Sequence, residues 1–264
     1  MDEEMPSLKK AQFLGRIDVT VAVPAFNEAE NLSKTLESIG KAVAKVPGIH
    51  VEILVINDGS TDGTAAVADT AADNDSSIRI LHHNTNQGLG ASIKEAIKEA
   101  RGEKFLIVPG DNDMPVSILT LLMMHSDKAD MIMCYFLDRE TRGRWRNALS
   151  TLFALFYASI FDIYVSYLNG PSIYPTKRLQ GLTLRAWRFS IVAEINTKLM
   201  RQGASFLELP GYRQTGLRGS SSLRWRNLVE TMWIFISTVC DVYLYHRAEF
   251  CNRPRRVLLK TDGI

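Results

Sequence analysis

Hydrophobic positions in the first half of the chain come in short runs, each closed by a polar loop. Residues 17–23, 51–56, 78–81 and 105–108 are apolar stretches of strand length. After the first of them, Leu32, Leu36, Ile39 and Val43 recur at helical spacing, which predicts an amphipathic helix over 28–46. An Ala-rich helix follows the second strand, and another runs from the third loop to about residue 100. Strands alternating with helices predict an α/β fold with a mostly parallel central sheet flanked by helices. Each strand ends in a loop containing Gly, Pro or polar residues on the same edge, and in such sheets ligands bind beyond the carboxyl ends of the strands.

After a fifth strand at 131–136 the pattern changes. Residues 148–161 carry no charge for fourteen positions, Asp162 interrupts, and Asn169-Gly170-Pro171 breaks the run. A second apolar stretch, 228–245, contains Glu230 and Asp241. A bilayer span needs about 20 apolar residues, and a charge near a helix centre costs about 2.5–3.5 kcal/mol on insertion. Neither stretch meets that standard. Both are rich in aromatics and flanked by arginines, which suits helices lying in a membrane surface; packing on the sheet is the alternative, and for 228–245 so is a dimer face. Between them, 190–202 reads as a helix carrying Glu194 and 206–209 as a short strand. The Gly/Ser/Arg-rich loop 211–222 has the length of a functional lid. The resulting division is an extension at 1–16, a catalytic domain at 17–222 (halves 17–115 and 116–222), and an amphiphilic helix with a basic tail at 223–264.

Composition narrows this picture. With 31 basic and 29 acidic residues in 264, bulk charge gives no reason to expect a nucleic-acid partner. Three cysteines without pattern suggest neither disulfides nor zinc, and the acidic N-terminus is no signal peptide. The expected location is therefore the cytoplasmic face of a membrane, held peripherally.

The chemistry concentrates at Asp111-Asn112-Asp113, delivered by the strand at 105–108. Two carboxylates one residue apart at a ligand-binding edge are costly unless a cation neutralises them, and a hard divalent ion bridging to phosphate oxygens would do so. The competing reading is that Asp113 caps the helix after Pro115. Gly88-Leu89-Gly90 lacks the third glycine of a dinucleotide fingerprint, and no G-x-x-x-x-G-K-[ST] phosphate loop is present. His82 and His83 sit at a strand end and read as structural.

Four loops recur in order: Pro24-Ala25-Phe26-Asn27-Glu28, Asn57-Asp58-Gly59-Ser60-Thr61-Asp62, Asn86-Gln87-Gly88-Leu89-Gly90-Ala91 and Asp111-Asn112-Asp113. This ordered series, over about 17–115, resembles the family 2 glycosyltransferases of GT-A fold. The resemblance implies that Pro24, Phe26 and Glu28 line a nucleotide site and that Asp58 accepts from the base. It further implies Asp111 beside the ribose and metal, Asp113 on Mg²⁺ or Mn²⁺, and both aspartates as catalytic.

The second half is similar to the polyprenyl-phosphate group, which includes the dolichol-phosphate mannose synthases. Arg144 and Arg146 before Ser150, Asn169-Gly170 before Tyr174, Glu194, and Leu209-Pro210 leading to Gly219-x-Ser221 carry that likeness. It implies an inverting transfer of sugar from a nucleotide-diphosphate donor to a lipid phosphate, with Arg144, Arg146, Glu194, Arg213, Arg218 and Ser221 on the acceptor side. The chain departs from the pattern at Pro115, where a Gln contact to metal is usual. It departs also at Gly216 and Ser222, which stand where Arg and Lys are usual, and at Ser166, which stands for Asp. Two alternatives remain: a hydroxyl acceptor with Glu194 as base, and a catalytically silent nucleotide-binding partner protein.

Overall fold

The computed structural model describes residues 16–137, 144–212 and 225–258, with the side chains of 144–150 and 225–228 outside that description. Strands β1 (Val19–Ala25), β2 (Val51–Asn57), β3 (Ile78–His82) and β4 (Lys104–Ile107) alternate with helices α1 (Leu32–Val43), α2 (Thr64–Asn74) and α3 (Leu89–Glu99). Then come α4 (Val116–Met124), β5 (Met131–Phe136), α5 (Arg144–Phe161), β6 (Ser172–Pro175), α6 (Thr176–Gln180), α7 (Ile191–Arg201) and β7 (Ser205–Gly211). Helix α8 (Trp225–Cys240) continues into a π-helical turn at Asp241–Tyr245, and β8 (Arg255–Arg256) follows.

The strands form one sheet in the order β3-β2-β1-β4-β6-β5-β7-β8. Strand β6 runs antiparallel to both β4 and β5, while the other described pairs are parallel. The chain moves outward from β1 through β2 to β3 and then returns to the other side of β1 as β4. That reversal opens a crevice past the ends of β1 and β4, the switch point where α/β sheets bind ligands.

Strands that read as continuous apolar runs still alternate between two cores, because successive side chains leave a strand on opposite faces. Val19, Val21, Val23, Ile53, Val55 and Leu106 face one cluster with α1 and α4. Ala22, Leu54, Ile56, Phe105, Met131 and Met133 face the other, with α3, α5, α7 and α8. Ile234, Val242 and Phe250 belong to that second cluster, so the C-terminal segment is packed into the same core as the sheet. No described helix is long and apolar enough to cross a membrane.

Three elements differ from expectation. The helix predicted over 28–46 spans Leu32–Val43, with Asn31 at its cap position. The amides of Asn31 and Leu32 instead close a turn on the Glu28 carbonyl. Strand β6 has four residues and β8 two, too short for a two-residue period to register. Pro115 takes the cap position of α4, where it has no side-chain cap bond to give.

Candidate active site

A cleft of about 530 Å³ opens at the switch point. Its floor and one wall come from the loops after β1 and β4: Pro24, Phe26 and Glu28 on one side, Pro109 to Asp111 and Asp113 to Pro115 on the other. The opposite wall is aromatic, with Phe136, Tyr167, Tyr174 and Phe189, and includes Asn169-Gly170. The two aspartates therefore share one cavity with Pro24, Phe26 and Glu28, and with the Asn169, Gly170 and Tyr174 of the second-half likeness.

The loops are held by their own motif residues. The Gly110 amide donates to the Pro24 carbonyl at 3.0 Å, tying the ends of β1 and β4 together. Buried Thr35 on α1 donates to the Gly110 carbonyl at 3.0 Å, and Ser38 donates to Asn112 Oδ1 at 3.3 Å. Asn112, at φ 57°, turns the chain so that the Asp113 amide reaches Asp111 Oδ1 at 3.2 Å. The second loop braces the first: the amides of Asn27, Glu28 and Ala29 donate to Ser60 Oγ, Thr64 Oγ1 and Asp62 Oδ2 at 3.0, 2.8 and 3.2 Å. Gly59 is required at its position, because a Cβ there would stand 2.3 Å from the Thr85 carbonyl carbon.

Asp58 is held by bonds within its own chain. It is 4% exposed and does not line the cleft. Its carboxylate accepts from the amides of Gln87 and Gly88, both at 2.8 Å, and pairs with His83 Nδ1 at 2.6 Å. With both oxygens engaged by its own chain, it fixes the turn entering α3. His83 is equally committed, since its Nε2 meets Glu95. Burial alone would lower the imidazole pKa, but the bonds to Asp58 and Glu95 outweigh it and hold the pKa above its ordinary value.

Glu194 also lies elsewhere. It is fully buried and accepts from the amides of Arg185 and Ala186 and from Lys198 Nζ, the last at 2.8 Å. A carboxylate so enclosed and ion-paired can neither reach an acceptor nor work as its base. Arg144 and Arg146 fall on the first turn of α5, whose side chains are outside the described residues, as are Arg213, Arg218 and Ser221.

Charge on the described wall is one-sided: the charged side chains lining it are Glu28, Asp111 and Asp113. Oxygen donors of this type fit a hard divalent ion. No group of three His, Cys, Asp or Glu suited to metal occurs among the described residues, so a cation here would complete its shell with oxygens from elsewhere.

Next to the cleft, a second groove of about 380 Å³ runs between α5 and residues 163–169. Tyr167 and Asn169 line both cavities. The groove is walled by Phe153, Ala154, Tyr157, Ile163 and Leu168, and Leu155 at its edge is 58% exposed. The Tyr157 hydroxyl is buried without a hydrogen-bond partner among the described residues. Sequence reading missed Tyr167 and Phe189, which sit on irregular segments with no period; Phe136 was reachable, as the last residue of a strand predicted to end on the ligand edge.

The sequence profile of Glycosyl transferase family 2 matches residues 20–190. The chain belongs to that family. Similar proteins include a dolichyl-phosphate beta-glucosyltransferase of Trichomonas vaginalis, 34% identical over 96 residues, which cover 35% of this chain and 28% of that protein. An undecaprenyl-phosphate mannosyltransferase of Micrococcus luteus is 39% identical over 74 residues, 28% of each chain. The stretches matched thus span about a third or less of these relatives' length. Among solved structures, glucosyl-3-phosphoglycerate synthase of Mycobacterium tuberculosis, in complex with Mn²⁺, UDP and phosphoglyceric acid, superposes with a TM-score of 0.63 at 16% identity, covering 84% of this chain and 78% of that one. The fold of this family 2 member is therefore GT-A.

Proposed function

We propose that this family 2 protein transfers a sugar, with inversion, from a nucleotide-diphosphate sugar to a polyprenyl phosphate. The observation that carries the reading is the junction of the two cavities. A cleft bearing Asp111 and Asp113 meets, at Tyr167 and Asn169, a largely apolar groove that opens beside exposed Leu155. A donor with a charged diphosphate suits the first, and an amphiphile with a phosphate head and a hydrocarbon tail suits the second. Relatives named for dolichyl and undecaprenyl phosphates support the same acceptor class.

Asp113 and Asp111 present hard oxygen donors to the cleft, which supports Mg²⁺ or Mn²⁺ held there together with substrate oxygens and water. When bound, the ion offsets charge developing on the departing nucleoside diphosphate. In the transfer, an oxygen of the lipid phosphate attacks the anomeric carbon from the face opposite the leaving group. The bond from that carbon to the diphosphate oxygen breaks, and its electron pair leaves with the nucleotide. The attacking phosphate is already anionic at neutral pH, so the step needs no general base, consistent with Glu194 being buried in an ion pair. Phe26 and Pro24 supply apolar surface to the nucleoside, and the aromatic wall excludes water from the reacting centre.

The reading also includes attachment to a membrane surface. Helices α5 and α8 pack through Phe156, Tyr157 and Phe161 against Phe235, with ring centroids 5.1–6.4 Å apart. They expose Leu152, Leu155 and Phe156 on one helix and Val229, Met232, Trp233 and Ile236 on the other. Exposed apolar side chains on two helices packed together suit contact with a lipid surface, which would bring the acceptor to the groove. Incubation of the protein with Mn²⁺, a polyprenyl phosphate and a panel of UDP-, GDP- and dTDP-sugars tests the proposal; lipid-linked sugar from one donor is expected, and none from any donor would overturn it.

A further inference from the structure

Four consecutive backbone amides, from Arg185 to Arg188, donate to two buried carboxylates. Glu194 of α7 takes the first two, at 2.8–3.0 Å. Glu230 of α8 takes Trp187 and Arg188, at 3.1 and 2.8 Å, and also the Ser190 hydroxyl at 3.2 Å. Glu230 is 2% exposed although its helix presents Val229, Met232 and Trp233 to the outside. A buried carboxylate is costly to place, and its bonds to amides of a loop make it a fixed anchor for that loop.

The anchored segment reaches the cleft in two ways. Phe189 stands in the cleft wall, beside Val192 and Leu89. Upstream, the Trp187 carbonyl accepts from the Gly90 amide at 3.0 Å, at the start of α3. The approach is so close that a Cβ on Gly90 would lie 2.4 Å from Trp187 Cα. Gly88, two residues earlier, is held from the other side by Asp58. The turn at the cleft edge is thus clamped between Asp58 and the segment that Glu230 fixes, and the Trp187 ring packs at 5.2 Å on Trp233 of α8.

We propose that Glu230 is a positioning residue for the nucleotide-sugar cleft, acting from α8 through the Trp187–Ser190 segment on Phe189 and on the Gly88–Gly90 turn. It touches no reacting atom; it pre-sets one wall, so that donor binding does not have to order that wall. The inference rests on the transfer reading for its kinetic readout but not for its structural one. Loss of the anchor leaves the wall to be ordered by the donor, which appears as weaker donor binding rather than slower chemistry.

The test compares wild type, E230A and E230Q by amide hydrogen exchange of peptides covering 185–191 and 86–92, by affinity for UDP and GDP with Mn²⁺, and by steady-state kinetics. In E230A both peptides should exchange faster, and the nucleotide Kd and donor KM should rise about ten-fold, the effect of one to two residues ordered on binding. The kcat should stay within about two-fold, because the aspartates are untouched. E230Q keeps an oxygen acceptor for the Trp187 and Arg188 amides and should recover most of the affinity. A purely structural role would lower thermal stability and active fraction while leaving KM and the 86–92 peptide unchanged, and that outcome would overturn the proposal. If wild type turns over no donor, the transfer reading fails on its own, and the exchange and nucleotide-affinity measurements still decide this one. Should E230A not accumulate in folded form, Ser190→Ala removes the hydroxyl bonds to Glu230 and Thr231 while leaving the Trp187 and Arg188 amide bonds in place, and is read in the same way, with a smaller shift expected.

Discussion

Lys198 of α7 and Asp241, at the junction of α8 with its π-helical turn, are ion-paired at 2.9 Å inside the protein. Lys198 also pairs with Glu194 at 2.8 Å and donates to the Thr183 carbonyl at 2.6 Å, so its three donors are all used. Arg185 closes the network with a two-pronged bond to Asp241 at 3.2 and 2.8 Å. Replacing Lys198 by Ala would leave two buried carboxylates facing each other without their shared cation. Removing one partner of such a pair costs about 3–5 kcal/mol, so Lys198→Ala should lose that much in chemical denaturation; a loss below about 1 kcal/mol would contradict the network's weight.

The same network sets an acid limit. Burial would raise the Asp241 pKa, but the bonds and charges of Lys198 and Arg185 prevail and hold it below the usual carboxylate range. A carboxyl depressed in the fold contributes stability above its unfolded pKa and loses it as pH falls through the folded value. The Lys198→Ala deficit should therefore be full at neutral pH and shrink in strongly acid solution.

Legibility followed physical range. The first four strands and the loops after them could be read because period, length and turn residues are local, and those same loops supply Asp111, Asp113, Pro24, Phe26 and Glu28 to the cleft. Asp58 shows where local reading stops. Its motif was visible, but its carboxylate is used by Gln87, Gly88 and His83, partners about thirty residues away whose approach only the folded sheet defines. Glu230 and Asp241 read as interruptions of an apolar helix, since nothing in their neighbourhood announces that loop amides and a lysine from other elements will meet them. Phe189 and Tyr167 belong to segments with neither period nor motif. Arg144, Arg146, Arg213, Arg218 and Ser221 stay expectations from the sequence.

His83 couples the loop after β2 to helix α3 through charge. Both ring nitrogens face carboxylates, Asp58 on one side and Glu95 on the other, an arrangement complete only for the protonated ring. Its raised pKa means that the contribution is fully present below the unfolded value near 6.5 and is lost as pH rises through the higher folded value. Glu95 is partly exposed, and solvent screening keeps its share of the effect small. The thermal-stability gap between wild type and His83→Gln should therefore narrow as pH is raised from 6 through the folded pKa; a gap constant with pH would show that the ring is not charged.

The apolar face of α8 can be separated from the fold. Met232 and Ile236 lie one turn apart and are 60% and 55% exposed, whereas Ile234 between them is fully buried. Placing Glu at both exposed positions puts two charges where lipid contact is proposed without touching the core. Flotation with anionic vesicles should fall strongly in Met232→Glu/Ile236→Glu, while the melting temperature shifts little. Undiminished vesicle binding in a folded double variant would remove this face from the membrane reading.

Asp113 carries the most exacting expectation. It shares the cleft with Asp111 and Glu28, yet the described residues contain no group of three His, Cys, Asp or Glu placed to hold a metal ion by themselves. An ion resting on one or two carboxylates, with Pro115 unable to add a side-chain ligand, depends on substrate oxygens for the rest of its shell. Metal affinity should therefore be weak in the protein alone and rise when a nucleoside diphosphate is present, as calorimetric titration with Mn²⁺ with and without UDP or GDP would measure. Asp113→Ala should abolish that nucleotide-dependent gain and reduce turnover by at least about a hundred-fold, the scale of losing one charge-stabilising contact at a reacting centre. The substitution sits on an exposed turn, so the fold should survive it. Unchanged turnover in a folded Asp113→Ala protein would take the metal away from this aspartate and with it the assigned centre of the cleft.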